Sequence, residues 1–116
     1  MLAHITTLLA WEDARSVGIY EADSLRTGGF IHCPGISAEQ LLAVADDLYA
    51  GQAGLVLLLI EAERLNSELR YEKDKASGQS FPHIYGPINT SAVVTVLDFP
   101  PQPDGMFRLP DLSPCD

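Results

Sequence analysis

Short apolar runs alternate with breaks marked by glycine, proline and acidic residues, and the spacing of those runs predicts the elements. Leu2-Ala3-His4-Ile5-Thr6 reads as a first strand. Thr7 can cap a helix reaching about Ser16, because its hydroxyl can accept from an unpaired N–H of the first turn. Leu8, Trp11 and Ala14 or Arg15 recur at helical spacing. Gly18 is a natural stop, since the left-handed position past a helix end costs glycine little. Ile19-Tyr20 then returns in extended form. Residues 21–28 are polar and turn-like, and Gly28-Gly29 marks a tight backbone passage. Phe30-Ile31-His32 reads as a short strand that Pro34-Gly35 ends.

The clearest helix starts at Ser37. Ser37 and Gln40 have the capping-box spacing, in which each side chain satisfies the other's orphan N–H. Leu41, Leu42, Val44, Ala45, Leu48 and Tyr49 make one apolar face, Glu39, Asp46 and Asp47 face away, and Gly51 closes the helix. Leu55-Val56-Leu57-Leu58-Leu59-Ile60 is a continuous apolar run whose length and flanks favour a strand buried on both faces. Residues 61–65 suit one helical turn, and Leu69-Arg70-Tyr71-Glu72 a strand. Residues 73–80 are charged, carry Gly78 and read as a mobile loop.

Phe81-Pro82-His83-Ile84-Tyr85-Gly86-Pro87 packs two prolines, a histidine, a tyrosine and a glycine into seven residues. Its prolines and glycine frame a short extended segment. If Ile84 turns to the core, His83 and Tyr85 share the opposite face. Ala92-Val93-Val94-Thr95-Val96-Leu97-Asp98-Phe99 is a β-branched final strand. Helices near the start and strands later predict an α+β domain over residues 1–99 with a mixed or antiparallel sheet. Residues 100–116 hold five of the eight prolines, which predicts an extended or disordered tail that Met106, Phe107 and Leu109 could dock on the body.

The length of 116 residues allows one domain with a core of its own. A formal charge of −9 argues against sequence-independent binding to DNA and disfavours RNA, because phosphate binding needs clustered cations. The seven cations form no long basic run. Glu12, Asp13 and Arg15 interrupt any signal-peptide-like apolar stretch, and residues 55–60 are too few to span a bilayer. The expected location is cytoplasmic, with no membrane partner. Cys33 and Cys115 have no tight spacing of the metal or redox type.

His4, His32 and His83 all fall in or beside predicted strands, and converging strands could bring them to one cleft. The alternative is that each satisfies a buried backbone group. None has a close-spaced ligand partner, so no metal is expected. Arg70 and Glu72 share one strand face and Tyr71 takes the other. That pair could hold an anion and a ribose hydroxyl, or form a solvated ion pair worth little. Cys33 follows His32 directly, and adjacent strand residues point to opposite faces, so a core thiol suits it better than a catalytic pair. Gly-rich phosphate loops, nucleophile elbows and His-Glu-x-x-His are all missing from the sequence.

His4-Ile5-Thr6, the Trp11 helix, Gly18-Ile19-Tyr20, Ser24-Leu25, Gly29-Phe30-Ile31-His32, Leu69-Arg70-Tyr71-Glu72 and Phe81-Pro82-His83-Ile84-Tyr85-Gly86-Pro87 occur in that order. In this the chain resembles the small bacterial family labelled domain of unknown function 952, over about residues 2–99. The resemblance implies a fold similar to ADP-ribosyltransferases, a split and bent sheet around a nicotinamide-dinucleotide cleft. The nearest analogy is with RNA 2′-phosphotransferases, where His4-Ile5-Thr6 looks like one strand motif and Ile31-His32-Cys33-Pro34 like another. By that analogy His4 binds the cofactor ribose and His32 borders the nicotinamide pocket. Ile5 and Pro34 depart from the analogous motifs, and Glu72 is the candidate for the transferase glutamate.

The expectation is therefore a nucleotide-type ligand, NAD or ADP-ribose, in a cleft lined by His4, Thr6, His32, Arg70, His83 and Tyr85. Glu72 and His32 are the candidate catalytic residues of a transferase or NAD glycohydrolase. The competing expectation is a non-catalytic interaction module on the same scaffold. Oligomeric state is left open by the sequence.

Overall fold

A computed structural model describes residues 2–33, 41–43, 45–46, 49–73, 78 and 80–107, with residues 23, 24 and 32 described through their backbone alone. In chain order the elements are β1 (Leu2–Thr7), α1 (Leu8–Val17), β2 (Ile19–Tyr20), α2 (Asp23–Gly28), β3 (Ile31–His32), β4 (Leu55–Ile60), β5 (Glu68–Lys73), β6 (Ser80–Tyr85), β7 (Ile88–Asn89) and β8 (Val93–Asp98). The class is α+β, and every described strand pair is antiparallel.

β4 is the middle strand of the order β1-β4-β8, and all six of its residues are buried. Side chains alternate along a strand, so β1 and β4 feed a different core from each face. Leu2, Val56, Leu58 and Ile60 join Trp11, Tyr20, Ile31, Ile84 and Ile88 on one side. Ala3, Ile5, Leu55, Leu57 and Leu59 join Leu41, Ala45, Phe99 and Phe107 on the other. Each large apolar side chain so buried contributes roughly 1.5–3 kcal/mol before ordering costs. That double burial is why the run carries no polar residue.

α1 starts and stops as its sequence dictates. Thr7 Oγ1 accepts from the Ala10 N–H at 3.1 Å, and Gly18 takes the left-handed conformation that ends the helix. Leu41, Leu42, Ala43, Ala45 and Asp46 are helical. The expected capping box of Ser37 and Gln40, and most of the loop at residues 73–80, lie outside the described residues. Residues 21–28 correct the expectation of a turn, because Asp23–Gly28 is a short helix closed by Gly29. Its polar composition hid an element that packs Leu25 on the core. β7 was not expected either: Ile88 is too short a signal alone, and it becomes a strand by pairing with Tyr20.

The second small sheet, in the order β3-β6-β5, places the proline-framed segment in its centre. Pro82 tolerates that position because of where its backbone points. The Cys33 N–H donates to the Pro82 carbonyl at 3.1 Å, so the missing N–H of Pro82 also faces β3. β3 ends where that donor is lacking. The same alternation turns the backbone groups of Phe81, His83 and Tyr85 toward β5.

The chain beyond β8 returns to the body. Phe107 is 4% exposed and stacks on Phe99 at 4.8 Å between centroids. Its N–H donates to Asp46 Oδ1, and Gly51 N–H donates to the Gly105 carbonyl. Met106 stays exposed; Leu109 is outside the described residues. No helix among the described residues is long and apolar enough to cross a membrane.

Two stability measurements check this packing. Phe107→Ala should lower unfolding free energy by about 3–5 kcal/mol in urea titration, the range for emptying a buried aromatic site. A near-neutral result would mean that residues 100–107 contribute nothing to the core. Gly86 lies against Ser67, whose hydroxyl donates to the Pro87 carbonyl at 2.6 Å. A Cβ at position 86 would collide with Ser67 Oγ and sit 2.9 Å from Ser67 Cβ. Gly86→Ala should therefore cost about 1–3 kcal/mol through overpacking, read as a lowered thermal midpoint.

Candidate functional site

Ile84 is fully buried in the core with Ile31 and Leu58. Its neighbours His83 and Tyr85 consequently project from the opposite face of β6. The register opposes Arg70 to His83, Glu68 to Tyr85 and Glu72 to Phe81. Opposed residues share a face, so three charged side chains of β5 meet the aromatic side chains of β6. Phe30, just before β3, closes the group: its ring stacks on His83 at 4.2 Å and 11°.

Glu72 is the hub. Tyr85 donates its hydroxyl to Glu72 Oε1 at 2.6 Å, and His83 Nδ1 lies 2.7 Å from Glu72 Oε2. These hydrogen bonds, Tyr85 first and His83 second, hold the Glu72 carboxyl below its ordinary range. An ionised carboxylate only accepts, so His83 Nδ1 carries the hydrogen of this bond. The same bond pushes the Tyr85 phenol up, because a phenolate beside Glu72 would lose its acceptor. Arg70 sits 5.4 Å from the centre of the Tyr85 ring, and its Nε donates to Glu68 at 3.0 Å. One bond uses one of five guanidinium donors. The side chain is 58% exposed.

His4 and Thr6 occupy a different setting. They alternate with Ala3 and Ile5 and face the core that holds Leu2. Both are buried, and the Tyr20 hydroxyl lies 2.9 Å from each, donating to Thr6 Oγ1. With its one hydrogen so used, Tyr20 accepts from His4 Nε2. This group ties β1 to β2 across the interior. His32 pairs through its backbone with His83. The six residues expected to line one cleft thus fall into a buried pair on Tyr20 and a partly exposed group on Glu72, with His32 in the strand beside the second.

Tyr20, Phe30 and Glu68 are additions to the expected residues. Glu68 could have been found by extending the β5 alternation by two residues. Tyr20 and Phe30 carry no such signal, since their contacts come from other strands. Cys33 is a core thiol, 1% exposed, with its pKa raised to about 12 by burial. Among the described residues no three His, Cys, Asp or Glu side chains converge on a metal-binding geometry.

The depressed Glu72 pKa has a sign. Its contribution to stability is present above the ordinary carboxylate pKa and is lost as pH falls through the lower folded value. Glu72→Gln should flatten this part of the acid limb, followed by circular dichroism at a series of pH values. Absorbance titration should also show the Tyr85 phenol titrating lower in Glu72→Gln. An unchanged phenol titration would contradict the Glu72–Tyr85 bond.

The X-ray crystal structure of protein CC0527 from Caulobacter crescentus is 33% identical, with a TM-score of 0.81 over 92% of each chain. The solution NMR structure of CC0527 is 34% identical, with a TM-score of 0.75 over 90% of this chain and 89% of that one. No curated relative matches. Residues 5–96 match the family described as "Protein of unknown function (DUF952)". With most of its length inside that match, the chain belongs to the DUF952 family.

Proposed function

We propose that this domain binds a nucleotide-type ligand, NAD or ADP-ribose, on the face that carries Arg70, Glu72, His83 and Tyr85, and that its scaffold is ADP-ribosyltransferase-like. The observation that carries this reading is the Glu72 carboxylate, kept ionised by Tyr85 and His83. Breaking the N-glycosidic bond of NAD develops positive charge on the ribose. A fixed anion beside it stabilises that charge without reorganising. The residues present fit such a ligand: the Arg70 guanidinium suits a pyrophosphate, and the ring faces of Tyr85 and Phe30 suit a planar base.

In this reading Glu72 is the catalytic carboxylate, and His32, opposite His83 in the ladder, borders the leaving nicotinamide. His4 and Thr6 act through Tyr20, holding β1 against β2. The overall negative charge leaves a single dinucleotide a better fit than an RNA, because one ligand needs one local cation and not a basic surface.

NMR titration tests the reading. NAD or ADP-ribose should shift the signals of Phe30, His83 and Tyr85, and Arg70→Ala should weaken binding roughly 10- to 100-fold, the effect of losing a charge-assisted hydrogen bond. Glu72→Gln should keep binding and stop nicotinamide release. Silence at all three residues with both ligands would refute the proposal. A protein partner lost on deleting residues 108–116, which leaves the core residue Phe107 in place, with Arg70→Ala and Glu72→Gln silent, would establish the interaction module in its place.

A further inference from the structure

β5 is an edge strand with one described neighbour, β6. Its outward groups follow from Pro82. Because Pro82 points its backbone at β3, its partner Tyr71 cannot point toward β6 and must point outward. Alternation gives Leu69 and Lys73 the same direction. The N–H and C=O groups of Leu69, Tyr71 and Lys73 therefore line the outer edge, and no backbone pairing among the described residues covers them. Tyr71 is 63% exposed, high for a large aromatic side chain within a strand.

Exposed edges are ordinarily blunted by charge, and the β5 segment Glu-Leu-Arg-Tyr-Glu-Lys is charged. Its charges are nevertheless self-complementary. Two copies of one strand related by a two-fold axis must pair residues of equal parity, so the centre falls on one residue and its own copy. Centring on Arg70 would oppose two arginines and set Glu68 against the partner's Glu72, which is repulsive throughout. Centring on Tyr71 sets Arg70 against the partner's Glu72 twice and Tyr71 against the partner's Tyr71 at the axis. It also makes Leu69 with the partner's Lys73, and Tyr71 with the partner's Tyr71, hydrogen-bonded pairs, which use every outward group of the strand.

We infer that β5 is a self-association edge, pairing antiparallel with β5 of a second copy in the register centred on Tyr71 and joining the two small sheets into one of six strands. Arg70 and Glu72 point their backbones inward, so they form the closer, non-hydrogen-bonded type of pair. Each Glu72 carboxylate keeps lone-pair capacity beyond its bonds to His83 and Tyr85. The partner's Arg70 thus reaches the face described above and adds a second guanidinium beside Glu72. The inference stands on edge geometry and charge, not on the ligand reading. Six edge residues bury less than the ~1,200–2,000 Å² of stable interfaces, so the dimer is concentration-dependent.

Sedimentation equilibrium of the full chain, without nucleotide, should show an average mass rising with concentration toward twice the chain mass. Arg70→Glu should abolish that rise by opposing like charges, and Arg70→Glu with Glu72→Arg should restore it. In a Cys115→Ser background, Tyr71→Cys should form a disulfide-linked dimer on mild oxidation, since Cα atoms of a hydrogen-bonded pair lie about 5.5 Å apart, within disulfide reach. Arg70→Cys should not. A chain that stays monomeric at millimolar concentration, or Arg70→Cys cross-linking in preference to Tyr71→Cys, would overturn the inference. Either result leaves nucleotide binding untouched, and a failed nucleotide titration leaves the dimer untouched.

Discussion

Burial of β4 on both faces is the constraint on which the rest of the structure depends. A strand with six apolar residues and no solvent face must be covered twice. One cover is built from α1, Tyr20, Ile31, Ile84 and Ile88, the other from the helical residues near 41–46 together with Phe99 and Phe107. The first cover fixes the small sheet, because Ile31 and Ile84 are its contribution to the core. Once those two point inward, His83 and Tyr85 have to point outward. The position of the polar cluster is thus a consequence of apolar packing on the opposite face of the same sheet.

The two polar groups differ because their surroundings do. His4, Thr6 and Tyr20 face an apolar core, where an unmet hydrogen bond costs more than a made one gains. They therefore satisfy one another and act as a fixed joint between β1 and β2. Glu72, His83 and Tyr85 lie at the margin of solvent. There a carboxylate can remain ionised while accepting two short hydrogen bonds, and a guanidinium can sit on a tyrosine ring beside it. Carboxylate, imidazole, phenol and guanidinium thus meet on one partly buried face of the small sheet. The interior joint supplies rigidity. Pro82 links this face to the strand edge: its missing donor shortens β3, and its carbonyl direction decides which groups of β5 face outward.

Much of the fold was legible in the chain. The Thr7 cap, the Gly18 stop, the apolar β4 run and the β-branched last strand are local signals, and each names its own element. The face shared by His83 and Tyr85 followed from alternation, once Ile84 was taken as the inward residue. Other features were not legible because their cause lies elsewhere in the chain. Residues 21–28 are polar enough to read as a turn, and their helix is held by one inward leucine. Ile88-Asn89 is a strand because Ile19-Tyr20 lies beside it. Phe107 docks on the body as expected, but its stacking partner Phe99 and the exposure of Met106, named with it, are set by the fold.

By itself, the sequence determined the α+β class, the principal strands, the family and the residue types of the site, since periodicity and capping depend on near neighbours. Tertiary structure decided which of those residues meet. Spacing along the chain does not encode that Glu72 lies under both His83 and Tyr85. It does not encode that His4 and Thr6 turn to the interior, or that Phe30 covers His83. Those contacts arise from strand register and from which face the core claims, and both are set by residues distant in sequence.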